Sequence, residues 1–116
     1  MTAASLRDLI VSVESGLITV AQNAQKLASE ARNHGGYFPA IEVVRANGGS
    51  LSYAQEVHRK LLPGWSVTMH ILDIHAGVKV FAHGRSDEHD DWVTNENAAR
   101  AWLIAILRAK MKDAAE

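Results

Sequence analysis

Six histidines, three tryptophans and a cluster of acidic residues are the side chains of this 116-residue chain whose types could do chemistry. Imidazole and carboxylate together ligate zinc, nickel or iron, provided three or four of them converge on one point. The densest stretch is Asp87-Glu88-His89-Asp90-Asp91, with His83 just before it. A hairpin with a two-residue loop would also set His70 opposite His83. No His-x₃-His pair on a helix accompanies these groups. The acidic stretch lacks the alternating oxygen ligands and the glycine of a calcium loop. Exposed or individually satisfied polar side chains are the simpler account, so no metal and no cofactor are expected.

Nucleophilic chemistry has less support. There is no Gly-x-Ser-x-Gly, no Walker loop, no Gly-x-Gly-x-x-Gly and no His-Glu-x-x-His. Gly48-Gly49-Ser50 precedes a helix start, where free N–H groups attract anions, yet helix punctuation explains the same residues. Pairing His58 with Ser66 as base and nucleophile has no motif behind it. Cysteine is absent, which removes disulfides, thiol nucleophiles and thiolate metal sites together. The expectation is a protein that is not an enzyme. Trp65, Trp92 and Trp102 could stack bases or sugars, but their places at a strand start, a strand end and a helix stripe point to a shared hydrophobic core.

Composition sets the frame for these groups. Hydrophobic residues make up 47% and charged residues 22%, as in an ordinary globular chain, and the length suits one domain. Twelve basic against thirteen acidic residues give a net charge of −1, so no strongly electrostatic nucleic-acid binder is signalled. No apolar run approaches the ~20 residues of a membrane span. Met1-Thr2-Ala3-Ala4-Ser5 lacks a basic-then-apolar leader, so a cytoplasmic protein without membrane partners is expected.

The elements follow from apolar spacing. Leu6, Val13, Val20 and Leu27 recur every seven residues, as do Ile10, Leu17, Ala24 and Ala31, forming a seam suited to lengthwise helix packing. The first 33 residues read as one long helix, or two kinked at Ser15-Gly16, ended by Asn33-His34-Gly35-Gly36. A core over 39–113 follows, of the order α-β-β-α. Pro39 can open a short helix over Ala40, Ile41, Val43 and Val44. After Asn47-Gly48-Gly49, a helix capped within Ser50-Leu51-Ser52 buries Ala54, Val57, His58 and Leu61 on one side, until Leu62-Pro63-Gly64.

From Trp65 the period becomes two. Trp65 to Leu72 and Val78 to His83 read as a β-hairpin with His75-Ala76-Gly77 as its loop, which would pair Asp73 with Lys79. Trp92-Val93 is a candidate third strand. Thr94 would cap a helix over about Asn95–Lys112. In that helix Ala98, Trp102, Ala105, Ile106 and Ala109 form one apolar stripe, and Leu103, Ile104, Leu107 and Met111 a second. Two stripes need two partners: the hairpin, and either the N-terminal helix or another subunit. The predicted fold class is α+β, a small antiparallel sheet packed with a long N-terminal helix, a short middle helix and a C-terminal helix.

Gly48-Gly49-Ser50-Leu51, the helix after it, Leu62-Pro63-Gly64-Trp65 before two strands, and Ala98-Ala99-Arg100-Ala101-Trp102-Leu103-Ile104-Ala105-Ile106-Leu107-Arg108-Ala109 together resemble small phage and prophage proteins of the phage ABA sandwich family. The opening Ser5-Leu6-Arg7-Asp8-Leu9-Ile10 with Val13-Glu14 is similar to the start of such proteins. The resemblance covers Leu51 to Ala109. This chain departs in its helical seam from Leu17 to Ala31, where the family implies a more irregular, polar connection. The resemblance implies a phage origin and a bacterial host cytoplasm, and carries over no catalytic residue.

The expected function is a non-catalytic phage or prophage accessory protein acting by protein–protein contact, with itself and with a host or phage protein. Inhibition of a host defence complex is the narrower form. Val13, Leu17, Val20, Leu27, Leu103 and Leu107 are the candidate oligomer interface. Asp87, Glu88, Asp90 and Asp91 form a candidate acidic partner-binding loop that could mimic phosphates. The alternative is a helix–turn–helix DNA-binding regulator over Ile41–Leu62, with Gln55, Arg59 and Lys60 reaching the groove. The near-neutral net charge speaks against it.

Overall fold

Apolar residues fall at helical spacing in most of the chain but fill nearly every position of one stretch near its end, and that difference sets the fold. The computed structural model describes residues 3–15, 19–71, 74–82 and 92–115. Helices α1 (Ala3–Ser15), α2 (Val20–Asn33), α3 (Ala40–Asn47) and α4 (Leu51–Leu61) come first. Strands β1 (Ser66–Ile71), β2 (Ala76–Phe81) and β3 (Val93–Asn95) follow, then helix α5 (Ala98–Ala115). The sheet is antiparallel in the order β1-β2-β3, so the class is α+β.

In α5, Ala101 to Leu107 are buried without a break, as are Ala99 and Ala109. A helix apolar on all sides is stable only inside a protein. It packs on β2 and β3 with one side and on α1, α3 and α4 with the others. The hairpin and the N-terminal helix therefore both serve as partners, as the two stripes required. Leu103, Ile104, Ile106 and Leu107 are almost wholly buried. Four such side chains contribute on the order of 10 kcal/mol of transfer free energy, before the entropy of ordering the chain.

The N-terminal seam is buried as predicted, but not in one long helix. α1 buries Leu6, Leu9, Ile10 and Val13, and α2 buries Val20, Ala24, Leu27 and Ala31. The two helices pack against each other. Ser5 Oγ donates to Glu30 Oε1 at 2.6 Å and Asn23 Nδ2 donates to Ser12 Oγ at 3.1 Å, which fixes an antiparallel pair. A seam of 3-and-4 spacing reads alike in a straight helix and in one folded back on itself. α1 ends at Ser15 and α2 begins at Val20; Gly16, Leu17 and Ile18 lie outside the described residues.

The middle of the chain holds the two helices that its capping residues marked, one more than the single middle helix of the stated fold class. α3 ends with Gly49 at φ 110°, a conformation side chains avoid. There the Ser50 N–H reaches the Arg45 carbonyl at 3.3 Å and the Gly49 N–H the Ala46 carbonyl at 3.0 Å. Ser50 Oγ then accepts the Tyr53 N–H at 3.3 Å and starts α4. Arg100 of α5 donates from Nε to the Asn47 carbonyl at 2.6 Å, tying the end of α3 to the start of α5.

Three details of the sheet region differ from expectation. Neither expected hairpin register forms: Lys79 faces Thr68 rather than Asp73, and His70 faces Gly77 rather than His83. Asp73 and His83 themselves lie outside the described residues. The observed register places Ala76, Val78 and Val80, all buried, on one face of β2, and a buried face overrides the glycine that suggested a later turn. The third strand is Val93–Asn95, with Thr94 opposite Gly77. Thr94 is thus committed to the sheet, and Asn97 caps α5 instead, its Oδ1 accepting the N–H groups of Ala99 at 2.9 Å and Arg100 at 3.2 Å.

Truncating Leu103 to alanine should remove about 2–5 kcal/mol of stability in a urea titration. A loss below about 1 kcal/mol would mean that α5 is not the centre of the core.

Candidate functional site

The apolar residues assigned to an oligomer interface turn inward. Val13, Val20, Leu27, Leu103 and Leu107 are each at most 3% exposed within a single chain. Their surface is covered by neighbouring helices and leaves none for a second subunit, which corrects the interface assignment. Leu17, and the acidic loop residues Asp87, Glu88, Asp90 and Asp91, lie outside the described residues.

The alternative nucleic-acid residues are on the surface of α4, with Gln55 and Arg59 exposed. Their cations already have carboxylates. Arg59 pairs with Glu56 on its own helix, and Lys60 Nζ donates to Glu42 Oε1 of α3 at 3.0 Å while lying 5.4 Å from the Tyr37 ring centroid. The Arg59–Glu56 pair is solvent-exposed, and such pairs contribute little. Burial pushes the Glu42 carboxyl up, but its own backbone N–H, Lys60 and Arg45 outweigh that and hold it below the usual carboxylate range. The bond to Glu42 outweighs partial burial at Lys60 and raises it. Beside this pair, Gln25, Arg32, Tyr37 and Ile41 line a shallow cleft of about 190 Å³ between α2 and α3.

His58, a core position by its spacing, has both ring nitrogens occupied. Trp102 Nε1–H donates to Nδ1 at 3.1 Å, which leaves the proton on Nε2 to donate to the Trp65 carbonyl at 2.9 Å. The His58 and Trp102 rings lie 5.7 Å apart, tilted. A histidine so held joins α4, α5 and the start of β1. Sequence reasoning placed His58 on the buried side but missed this joint, because its partner is 44 residues away. Among the described residues, no three of His, Cys, Asp and Glu gather where they could hold a metal ion.

Trp102 is buried and Trp65 packs partly buried against the core, whereas Trp92 does not join them. It is half-exposed on the sheet's outer face, edge-on to His70 with centroids 4.8 Å apart. It reaches there over Gly77, where a Cβ would sit 3.5 Å from the indole.

The uncovered apolar surface is at β1 and its turn. Val67, Met69 and Ile71 pair with Val80, Val78 and Ala76, so they share the sheet face that meets the helices. α5 packs on β2 and β3, and β1 overhangs it. Met69 packs against the core, but Ile71 is 71% and Ile74 78% exposed, and Val67, at the other end of the strand, is partly exposed too. β1 reads Ser-Val-Thr-Met-His-Ile, without the lysine or proline that commonly guards an edge strand. Among the described residues, nothing pairs with its outer edge.

No family model, curated protein or solved structure matches this chain.

Replacing Trp102 with phenylalanine keeps a ring but deletes the N–H, leaving His58 Nδ1 unpaired. A loss of about 1–2 kcal/mol is expected in denaturant unfolding, and unchanged stability would show that the hydrogen bond is not a joint of the fold. The Glu42–Lys60 pair has a two-sided pH signature. Glu42, lowered on folding, stabilises above the unfolded carboxyl value of about 4.3 and loses this as pH falls through its folded value. Lys60, raised on folding, stabilises below about 10.4 and loses this as pH rises through its folded value. Glu42→Gln should flatten the acid limb of a stability–pH curve below about pH 4; an acid limb identical to the parent's would show that the pair is not its source.

Proposed function

We propose that this chain is a non-catalytic binding protein that works by protein–protein contact at the uncovered edge of its sheet. The observation that carries this reading is the joint exposure of Ile71 and Ile74 at the end of an unguarded edge strand. Scattered apolar residues on a surface are ordinary, whereas contiguous ones beside an open strand mark a place where another chain binds. The resemblance of Leu51 to Ala109 to phage ABA sandwich proteins supports a phage or prophage setting in a bacterial cytoplasm. There, contact of this type would act by occluding a host complex, such as one used in defence.

The test is capture from bacterial host lysate by three tagged proteins: the parent, an Ile71→Lys/Ile74→Lys variant, and Ile41→Lys as a control at another exposed apolar position. The exposed sites should tolerate lysine within about 0.5 kcal/mol each. The parent and the control should retain the same specific protein, and the double variant should lose it. Equal capture by all three overturns the reading, as does capture by none from a parent that is itself monomeric.

A further inference from the structure

The geometry points to a second copy of this chain as the occupant of the β1 edge, paired antiparallel about a two-fold axis at Met69, so that two three-stranded sheets become one of six. The inference rests on the reading that this edge is the contact surface, and it names the partner.

The chemistry of the edge requires a strand. Along β1, alternate N–H and C=O groups point to opposite sides, and β2 takes one row. The other row faces outward along all of Ser66–Ile71, with no described element against it. Only another extended backbone satisfies such a row group by group.

The side chains favour the same sequence as partner. A two-fold axis normal to an antiparallel sheet pairs residues that share a face. Centred on Met69, it sets Val67 against Ile71, Met69 against its own copy, and Thr68 against His70. Apolar then meets apolar on the helix side, and polar meets polar on the outer side. The axis sets Met69 against its own copy and brings Thr68 and His70 near theirs, so a charge at the middle of the strand would lie close to its like. β1 has no charged residue. A foreign peptide would, for the same reason, find no charge there to select it.

The overhang completes the argument. Because α5 packs on β2 and β3, the ends of β1's helix-side face, Val67 and Ile71, are left uncovered while Met69 packs against the core. Two such overhangs joined edge to edge make an apolar strip two strands wide, about 10 Å, between two helix layers. Within it Val67 and Ile71 of each copy cover those of the other.

The chain has no cysteine, so Met69→Cys introduces a single thiol. Residues directly opposite in an antiparallel pair have Cβ atoms about 4.5–5.5 Å apart, close to disulfide reach. Under mild oxidation Met69→Cys should become a disulfide-linked dimer at least tenfold faster than Val67→Cys or a Ser52→Cys surface control. Light scattering of the parent should give twice the 12.6 kDa chain mass. Ile71→Lys, at an exposed site, should halve that mass without altering circular dichroism or the thermal midpoint. A parent that stays monomeric as concentration rises overturns the inference, as does crosslinking of Met69→Cys no faster than either control. If the parent is monomeric yet loses a captured lysate protein in the lysine double variant, self-pairing alone falls. If capture is also unaffected, the contact-surface reading falls with it.

Discussion

A helix with no polar face must be enclosed, and α5 imposes that demand on the rest of the chain. Seven consecutive buried residues from Ala101 to Leu107 need neighbours in every direction around the axis. The sheet supplies one side, and α1, α3 and α4 supply the others. The polar contacts around it are consistent with this arrangement. Arg100 holds the end of α3, Trp102 donates to His58 of α4, and Arg108 meets Glu14 of α1 at 2.9 Å. Each joins a neighbouring helix to the central one without placing an unpaired polar group on its buried surface.

The same demand explains where the chain is left bare. One helix lying on a three-stranded sheet packs on the strands beneath it, and here those are β2 and β3. β1 satisfies its inner edge through β2, while Val67 and Ile71 at the ends of its helix-side face are left uncovered. Exposed apolar surface at β1 is thus a geometric result of how the core is closed. The outer face has a different solution. Trp92 lies over Gly77 and edge-on to His70, giving the sheet a small aromatic cover of its own.

How far the sequence could be read depended on whether each signal was local. Spacing identified Ala54, Val57, His58 and Leu61 as the inner side of α4, and all four are buried. Alternation identified two strands, and the double stripe identified a helix with two partners. The hairpin register was not legible, because glycine at position 77 signals a turn as readily as room for an indole from another strand. Thr94 and Asn97 are both competent caps, and only the pairing of β3 decides between them. The supposed interface failed for a related reason. An apolar stripe says that something covers it, and Val13, Val20 and Leu27 are covered by their own chain. The exposed β1 edge was invisible for the converse reason, since its residues alternate like those of any half-buried strand.

The packing of α1 on α5 brings together the first and last described elements. During synthesis, Leu6, Leu9, Ile10 and Val13 leave the ribosome well before the residues that will bury them. The strands are likewise made before the helix that covers them. Native burial of the interior therefore waits for α5 to be synthesised, and contacts this distant in sequence slow folding. For this chain the vulnerable interval is its birth, when greasy segments await their lid and an unguarded strand lies open among other nascent chains.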